Sequence, residues 1–245
     1  MKKKSILILG SLSDIAKSIA HKFAKNNYDL LLAARNISEL KLQTNDLKLR
    51  YNINVDYYEF DILKIEDHLS FINNLRLVPD IVLCAVGYMG KQIDNEENQV
   101  MRSQVIRTNF EGPTNIISEF ANIFEKRGNG MIVGISSVAG ERGRKSNYIY
   151  GSAKAGFTTF LSGLRNRLNN KNVHVLTILP GTVYTKMTLG FNLPKLITTH
   201  PDKIAEDIFM GVQKKKDIIY TLSVWRYIMK FINFIPEAIF KKTNL

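Results

Sequence analysis

At 245 residues, 45% of them hydrophobic, the chain is long enough to bury a full core, and no repeat or low-complexity tract suggests disorder or a fibrous fold. Its formal net charge of +12 suits contact with anions, but no nucleic-acid reading motif accompanies the charge, so nucleic acid is not an expected partner. A single cysteine excludes an internal disulfide, no apolar stretch reaches the ~18 to 20 residues of a membrane span, and the four histidines lack metal-ligand spacing, so no metal is expected.

Ser5 to Leu9 is a short apolar run ending at Gly10, and the MKKKSILIL start reads as a first strand rather than a leader. Asp14 to Asn26 carries Ile15, Ile19, Ala20 and Phe23 at helical spacing, so the turn Gly10-Ser-Leu-Ser-Asp-Ile-Ala joins strand to helix. Two readings of that turn stand side by side: a helix N-terminus meeting a nucleotide phosphate, or an ordinary turn capped by Ser13 or Asp14. Asp29 to Ala34 is a second strand and ends at Arg35, where dinucleotide-binding units place the residue that reads the ribose. No acid stands there. A guanidinium at that place pairs with the 2′-phosphate of NADP where a carboxylate would accept from the 2′-hydroxyl of NAD; the rival reading is a solvated arginine.

The pattern continues with a helix over Ile37 to Arg50, a strand over Asn54 to Phe60 followed by Asp61, and a strand over Ile81 to Val86 that encloses the lone Cys84 and precedes Gly87. A buried structural thiol fits a reducing, cytoplasmic compartment. A long amphipathic segment from Glu96 to Lys126 carries Asn109 in its middle. Then come a strand over Met131 to Ile135, a helix over Tyr148 to Asn169, an apolar strand over Val173 to Leu179 stopped by Pro180-Gly181, a helix over Pro201 to Lys215 and a strand over Asp217 to Leu222. His174, inside the sixth strand, is expected to be a satisfied core residue. Apolar strands alternating with amphipathic helices predict a Rossmann-like, doubly wound parallel sheet of about seven strands with helices on both faces. We expect one dinucleotide-binding domain over 1–245, with 223–245 an aromatic and basic extension. Ligands of such sheets gather at the carboxyl ends of the strands, where Gly10, Arg35, Asp61, Gly87, Ser137 and Pro180 fall.

Between Gly134 and Lys154 lie Ser137, Tyr150 and Lys154, the last two spaced to share one helix face. An ammonium beside a phenol favours the phenolate, so Tyr150 is expected to titrate below the ordinary tyrosine range and to exchange a proton with a substrate oxygen near neutral pH. Ser137, where a buried strand meets a loop, is placed to hold that oxygen.

Taken together, the Thr-Asn-Phe containing Asn109, the Ile-Ser-Ser containing Ser137, the Tyr150-Gly-Ser-Ala-Lys154 run and the Pro180-Gly-Thr-Val-Tyr-Thr-Lys-Met run resemble the short-chain dehydrogenase/reductase family in order and spacing over nearly the whole chain. The resemblance implies a catalytic set of Ser137 positioning a carbonyl, Tyr150 as acid/base, Lys154 on the nicotinamide ribose, and Asn109 holding a relay water. It further implies Gly10, Ser13, Asp14 and Ile15 at the cofactor phosphates, Asp61 and Ile62 at the adenine, Gly87, Pro180 and Gly181 beside the cofactor, and Thr185 at the carboxamide. Tyr148 is a decoy, since Ser152 rather than lysine follows it by four. Two departures from the family pattern are Asp14 and Ala16 in glycine places of the first turn, and Cys84-Ala-Val-Gly87 in place of Asn-Asn-Ala-Gly.

The run from Ser136 to Gly156 and the ending Val224 to Lys242 resemble a narrower group, the reductases that finish epimerisation of a decaprenylphosphoryl pentose through a 2-keto intermediate. The expected function is therefore NAD(P)H-dependent reduction of a ketone, NADPH preferred, on a keto-sugar or other small-molecule ketone, or one linked to polyprenyl phosphate. A 3-oxoacyl thioester or small-ketone reductase shares every catalytic residue. A nucleotide-binding sensor without turnover is the alternative of another class, and an intact acid speaks against it. A homo-oligomer is expected. The aromatic ending, flanked by Lys214, Lys215, Lys216, Arg226, Lys230, Lys241 and Lys242, either packs against the sheet or a partner subunit, or lies at the inner face of a membrane.

Overall fold

A computed structural model of the chain describes residues 3–190 and 192–243. The first unit comprises β1 (Ser5–Leu9), α1 (Asp14–Lys25), β2 (Asp29–Ala34), α2 (Ile37–Tyr51) and β3 (Val55–Glu59). It continues through α3 (His68–Asn73), β4 (Ile81–Cys84), α4 (Gln92–Glu97), α5 (Gln99–Ile106), α6 (Gly112–Arg127), β5 (Gly130–Ile135), α7 (Tyr148–Leu168) and β6 (Val173–Pro180). The chain ends with β7 (Thr182–Val183), β8 (Thr198–Thr199), α8 (Pro201–Gln213), β9 (Ile218–Thr221), α9 (Val224–Phe234) and α10 (Glu237–Phe240).

Seven strands form one parallel sheet in the order β3-β2-β1-β4-β5-β6-β9, and β7 pairs with β8 apart from it. The strand order reverses between β1 and β4, so a crevice opens there at the carboxyl ends of the strands. This is the Rossmann-like sheet that the apolar runs predict.

The two-residue period of each strand divides the core. Ile6 and Ile8 face a layer with Ile19 and Phe23 of α1, Leu40 and Leu47 of α2, and Ile204 and Ile208 of α8. Leu7 and Leu9 face the other layer, with Phe120 and Phe124 of α6 and Phe157, Leu161 and Leu168 of α7. Strands buried on both faces must be apolar at every position, which is why they read as unbroken runs. Gly134 of β5 lets α7 approach the sheet closely, since a Cβ there would lie 2.3 Å from Leu161 Cδ1.

The structure departs from the sequence reading at three places. The segment from Glu96 to Lys126 is not one helix: α5 and α6 are separated by a π-helical turn over Arg107–Glu111 that contains Asn109, and Pro113, lacking an N–H, stands in the first turn of α6. Helix α3 was not foreseen, because it is short and its stretch shows no sustained period. The fourth strand stops at Cys84 instead of Val86, although Ala85 N–H still donates to Leu9 O at 2.9 Å. The His174 ring nitrogen Nε2 lies 2.8 Å from Lys216 O, so its polar edge is satisfied as expected.

Candidate active site

The strand β1 ends at Gly10, whose φ of +79° a side chain would strain and whose added Cβ would press on Val86 at 3.0 Å. The turn it permits is fastened to β2, since the N–H groups of Gly10 and Ser11 both donate to Ala33 O, at 2.8 and 3.1 Å. Ser13 caps α1 by accepting from Ala16 N–H at 3.2 Å. Asp14 opens the helix and accepts from Lys186 N–H at 2.7 Å, tying the turn to the segment after β7. The turn is a capped one, and it faces a cavity.

That cavity, of about 670 Å³, runs along the carboxyl ends of β1, β4, β5 and β6. Of the expected site residues, Ser13, Asp14, Ile15, Gly87, Ser137, Tyr150, Lys154, Pro180, Gly181 and Thr185 line it. Gly10 stands just behind the wall. Gly87 touches two others: a Cβ there would lie 3.4 Å from Asn109 Oδ1 and 3.7 Å from Lys154 Nζ. Asn109 is fully buried in the π-helical turn. Its Nδ2 donates to Val105 O at 2.8 Å and to Tyr88 O, and its Oδ1 accepts from Tyr88 N–H at 3.3 Å. It clamps the segment after β4 while leaving Oδ1 one lone pair free.

Arg35, Asp61 and Ile62 do not line the cavity. Arg35 is exposed at the end of β2. Asp61 Oδ1 accepts from Leu63 N–H at 3.1 Å, shaping its own turn, and Ile62 is buried in the layer beneath α6. Tyr148, the decoy, is 46% exposed on the outer side of α7.

Helix α7 and the end of β5 are joined by polar contacts. Lys154, only 3% exposed, donates from Nζ to Ile135 O at 3.0 Å, and Ser136 Oγ donates to Lys154 O at 3.0 Å and pairs with Thr158 Oγ1 at 2.6 Å. Ser137 Oγ accepts from Ala139 N–H at 3.1 Å, which fixes the hydroxyl at the cavity wall. Lys154 Nζ lies 5.8 Å from the centroid of the Tyr150 ring.

The expectation that Lys154 lowers the Tyr150 value fails in this state. Burial pushes the phenol up to about 12, with the Ser137 hydroxyl pulling weakly the other way. Burial likewise pulls Lys154 down to about 8, because its ammonium has no carboxylate partner. Desolvation sets the direction at the phenol. Tyr150 is thus held protonated, and Lys154 remains mostly charged at neutral pH.

Trp225, Arg144 and Asn147 also line the cavity, and sequence reasoning passed over all three. Trp225 Nε1–H donates to Ile197 O at 3.0 Å from α9, a helix whose Met229 and Ile232 pack with it against Val138 and Leu179. Arg144 stands in the basic loop just before Tyr150, where its position beside the acid was the available signal.

The buried cation sets a pH dependence. Between about 8 and its unfolded value, the unfolded chain keeps a proton on Lys154 that the folded chain has released, so stability rises with pH across that window. Lys154→Met should therefore be the more stable protein at about pH 7.5, with wild type regaining about 1–2 kcal/mol of the gap by about pH 9.5 in thermal unfolding without cofactor. A gap independent of pH would remove the buried charge as its cause.

A family model described as short chain dehydrogenase matches residues 4–194. An uncharacterized oxidoreductase of Mycobacterium tuberculosis is 28% identical over 240 residues, covering 97% of this chain and 96% of that protein. One of Streptomyces coelicolor is 28% identical over 242 residues, covering 98% and 95%. Among solved structures, a bulky-bulky ketone specific alcohol dehydrogenase from Comamonas testosteroni superposes with a TM-score of 0.80 at 22% identity, covering 97% of both chains. A short-chain dehydrogenase from Sphingobium yanoikuyae in complex with NADPH gives 0.79 at 20% identity, covering 96% and 97%. The chain belongs to the short chain dehydrogenase family and is an NAD(P)-dependent oxidoreductase.

Proposed function

We propose that the chain reduces a ketone to an alcohol with NADPH, and that the ketone is a keto-sugar carried on a polyprenyl phosphate. The observation that carries the reduction is the meeting of Ser137, Tyr150 and Lys154 in the cavity that the Ser13 turn also lines. The fit to a dinucleotide rests on the glycine-permitted turn at a helix N-terminus, on the bare Gly87 wall between Asn109 and Lys154, and on a cavity volume ordinary for ligand sites of ~300 to 1,000 Å³. Bound there, the nicotinamide supplies the hydride.

The chain's own groups do the rest. Ser137 Oγ–H donates to the substrate carbonyl oxygen and orients it. Tyr150, protonated because burial raises its value, delivers its proton to that oxygen as negative charge develops there. Lys154 donates to the ribose hydroxyls and eases later proton return to Tyr150. Asn109 Oδ1, with its spare lone pair, holds a water that links Lys154 to solvent. Ser13, Asp14 and Ile15 would hold the phosphates, Pro180 and Gly181 would line the cofactor and Thr185 would meet its carboxamide. Asp61 and Ile62, outside the cavity wall, would border the adenine, and Arg35, exposed at the end of β2, would pair with the 2′-phosphate.

The narrower substrate rests on the resemblance of the two stretches named above and on α9. Trp225, Met229 and Ile232 of α9 are buried, while Tyr227, Phe231 and Phe234 are 70%, 72% and 75% exposed on the opposite face, with Lys230 and Arg226 exposed beside them. Leu189 and Leu196, on the segment after β7, are likewise 75% and 96% exposed. No helix among the described residues is long and apolar enough to cross a membrane. An aromatic stripe with flanking cations suits an anionic bilayer surface at the inner face of the membrane. We further take the protein to be a homo-oligomer.

Tyr150→Phe should retain NADPH binding but lose turnover of its ketones by roughly 10²–10⁴-fold; near-wild-type turnover would remove Tyr150 from the mechanism. Arg35→Ala should weaken NADPH by about 1.5–3 kcal/mol and NADH hardly at all, as read by cofactor titration, and equal losses would overturn the pairing. Serine at Tyr227, Phe231 and Phe234 together should abolish salt-sensitive sedimentation with anionic liposomes while Trp225, Met229 and Ile232 keep the fold. If the wild type never sediments with liposomes at low salt, or the triple variant instead splits an oligomer, a second copy covers the stripe.

A further inference from the structure

Two arginines in the loop that precedes α7 have opposite surroundings. Arg142 donates to the carbonyls of Asn233 and Ile235, both at 3.2 Å, and to Glu237 Oε2 at 2.8 Å, and its guanidinium carbon lies 4.1 Å from the centroid of the Phe240 ring. It is fully engaged in holding the loop to the C-terminal helices. Arg144 lines the cavity, its Nε is buried without a partner, and it enters no ion pair among the described residues. Glu141, the nearest carboxylate along the loop, is taken by the Tyr220 hydroxyl. Burial accordingly draws the Arg144 guanidinium below its ordinary range, with no anion to oppose it.

Two further observations place an acceptor-seeking site at Arg144. Helix α7 starts at Tyr148 without a side-chain cap, so the free N–H groups of a 21-residue helix open beside the same loop. The cavity's charged lining is Lys91, Arg144, Lys154 and Lys186 against Asp14 alone, and Asp14 already accepts from Lys186 N–H.

We propose that Arg144 is a specificity residue that pairs with an anionic oxygen group, phosphate or carboxylate, on the ketone substrate. The proposal rests on the ketone-reductase reading for the word substrate, though not for the binding itself. A guanidinium offers two parallel N–H donors matched to such a group, and a buried, unpaired one gains most from it. In this role Arg144 selects the substrate by its anionic group, while Ser137 and Tyr150 serve the carbonyl.

The chain's single tryptophan, Trp225, lines the same cavity and reports its occupancy by fluorescence. The test uses protein saturated with NADP⁺, which fills the cofactor's own phosphate sites, and titrates phenyl phosphate, phenylacetate and the neutral benzyl alcohol. Wild type should prefer an anion to benzyl alcohol. Arg144→Ala should lose that preference by roughly 10- to 100-fold, and Arg144→Lys should keep part of it. Preference for phenyl phosphate assigns a phosphate, and preference for phenylacetate a carboxylate. Equal binding of all three probes by wild type, or an anion preference that survives in Arg144→Ala, overturns the proposal. Should Arg144→Ala fail to fold, Arg144→Gln, which keeps the stem and removes the charge, carries the same titration. No turnover is needed, so the proposal can fail while the Tyr150 chemistry stands, and the reverse.

Discussion

The contact between the Lys154 ammonium and the Ile135 carbonyl holds the site together. It spans from the third position after Gly151 on a long helix to the last residue of a central strand, and the Ser136 hydroxyl returns the favour by donating to Lys154 O. With α7 fastened to β5 at that point, Ser137 and Tyr150 have one relative position, and Gly134 beneath Leu161 keeps the two elements close enough for it. Positioning of this kind is the largest service a protein renders to a hydride transfer whose chemistry belongs to the cofactor.

The same contact costs stability. An ammonium buried with one carbonyl and no carboxylate would be better hydrated in the unfolded chain, and its lowered titration records that penalty. Arg144 is in a similar state, with a buried Nε and no acceptor. Two desolvated cations in a cavity whose one carboxylate, Asp14, already accepts from Lys186 N–H make a surface whose missing partner is an anion. A dinucleotide bearing phosphates and a substrate bearing an anionic group would each relieve part of the strain. Stability given up in the free protein is thereby returned on binding.

The C-terminal segment serves two masters through its period. On α9 the positions of Trp225, Met229 and Ile232 fall on one face and complete a small core with Val138 and Leu179, which brings an indole to the cavity wall. Tyr227, Phe231 and Phe234 fall on the other face and remain exposed. One face of α9 thus packs into the fold and the other stays exposed, as a helix rich in aromatics all round allows.

Much of the fold was legible before any coordinates. Strands such as Ser5–Leu9 and Asp29–Ala34 read correctly to the residue, because a strand buried on both faces admits no polar position and ends abruptly at a glycine or an arginine. The Tyr150 and Lys154 spacing put both on one face of α7, since helical geometry is local. What depended on distant neighbours was not legible. The break at Asn109 arises because its side chain reaches the Tyr88 backbone, and helix α3 exists only against Phe60 and α6. The sign of the Tyr150 shift, the empty surroundings of Arg144 and the contact of Trp225 with the cavity all turn on burial. Burial is a property of everything the chain folds around a group, so spacing along the sequence does not give it.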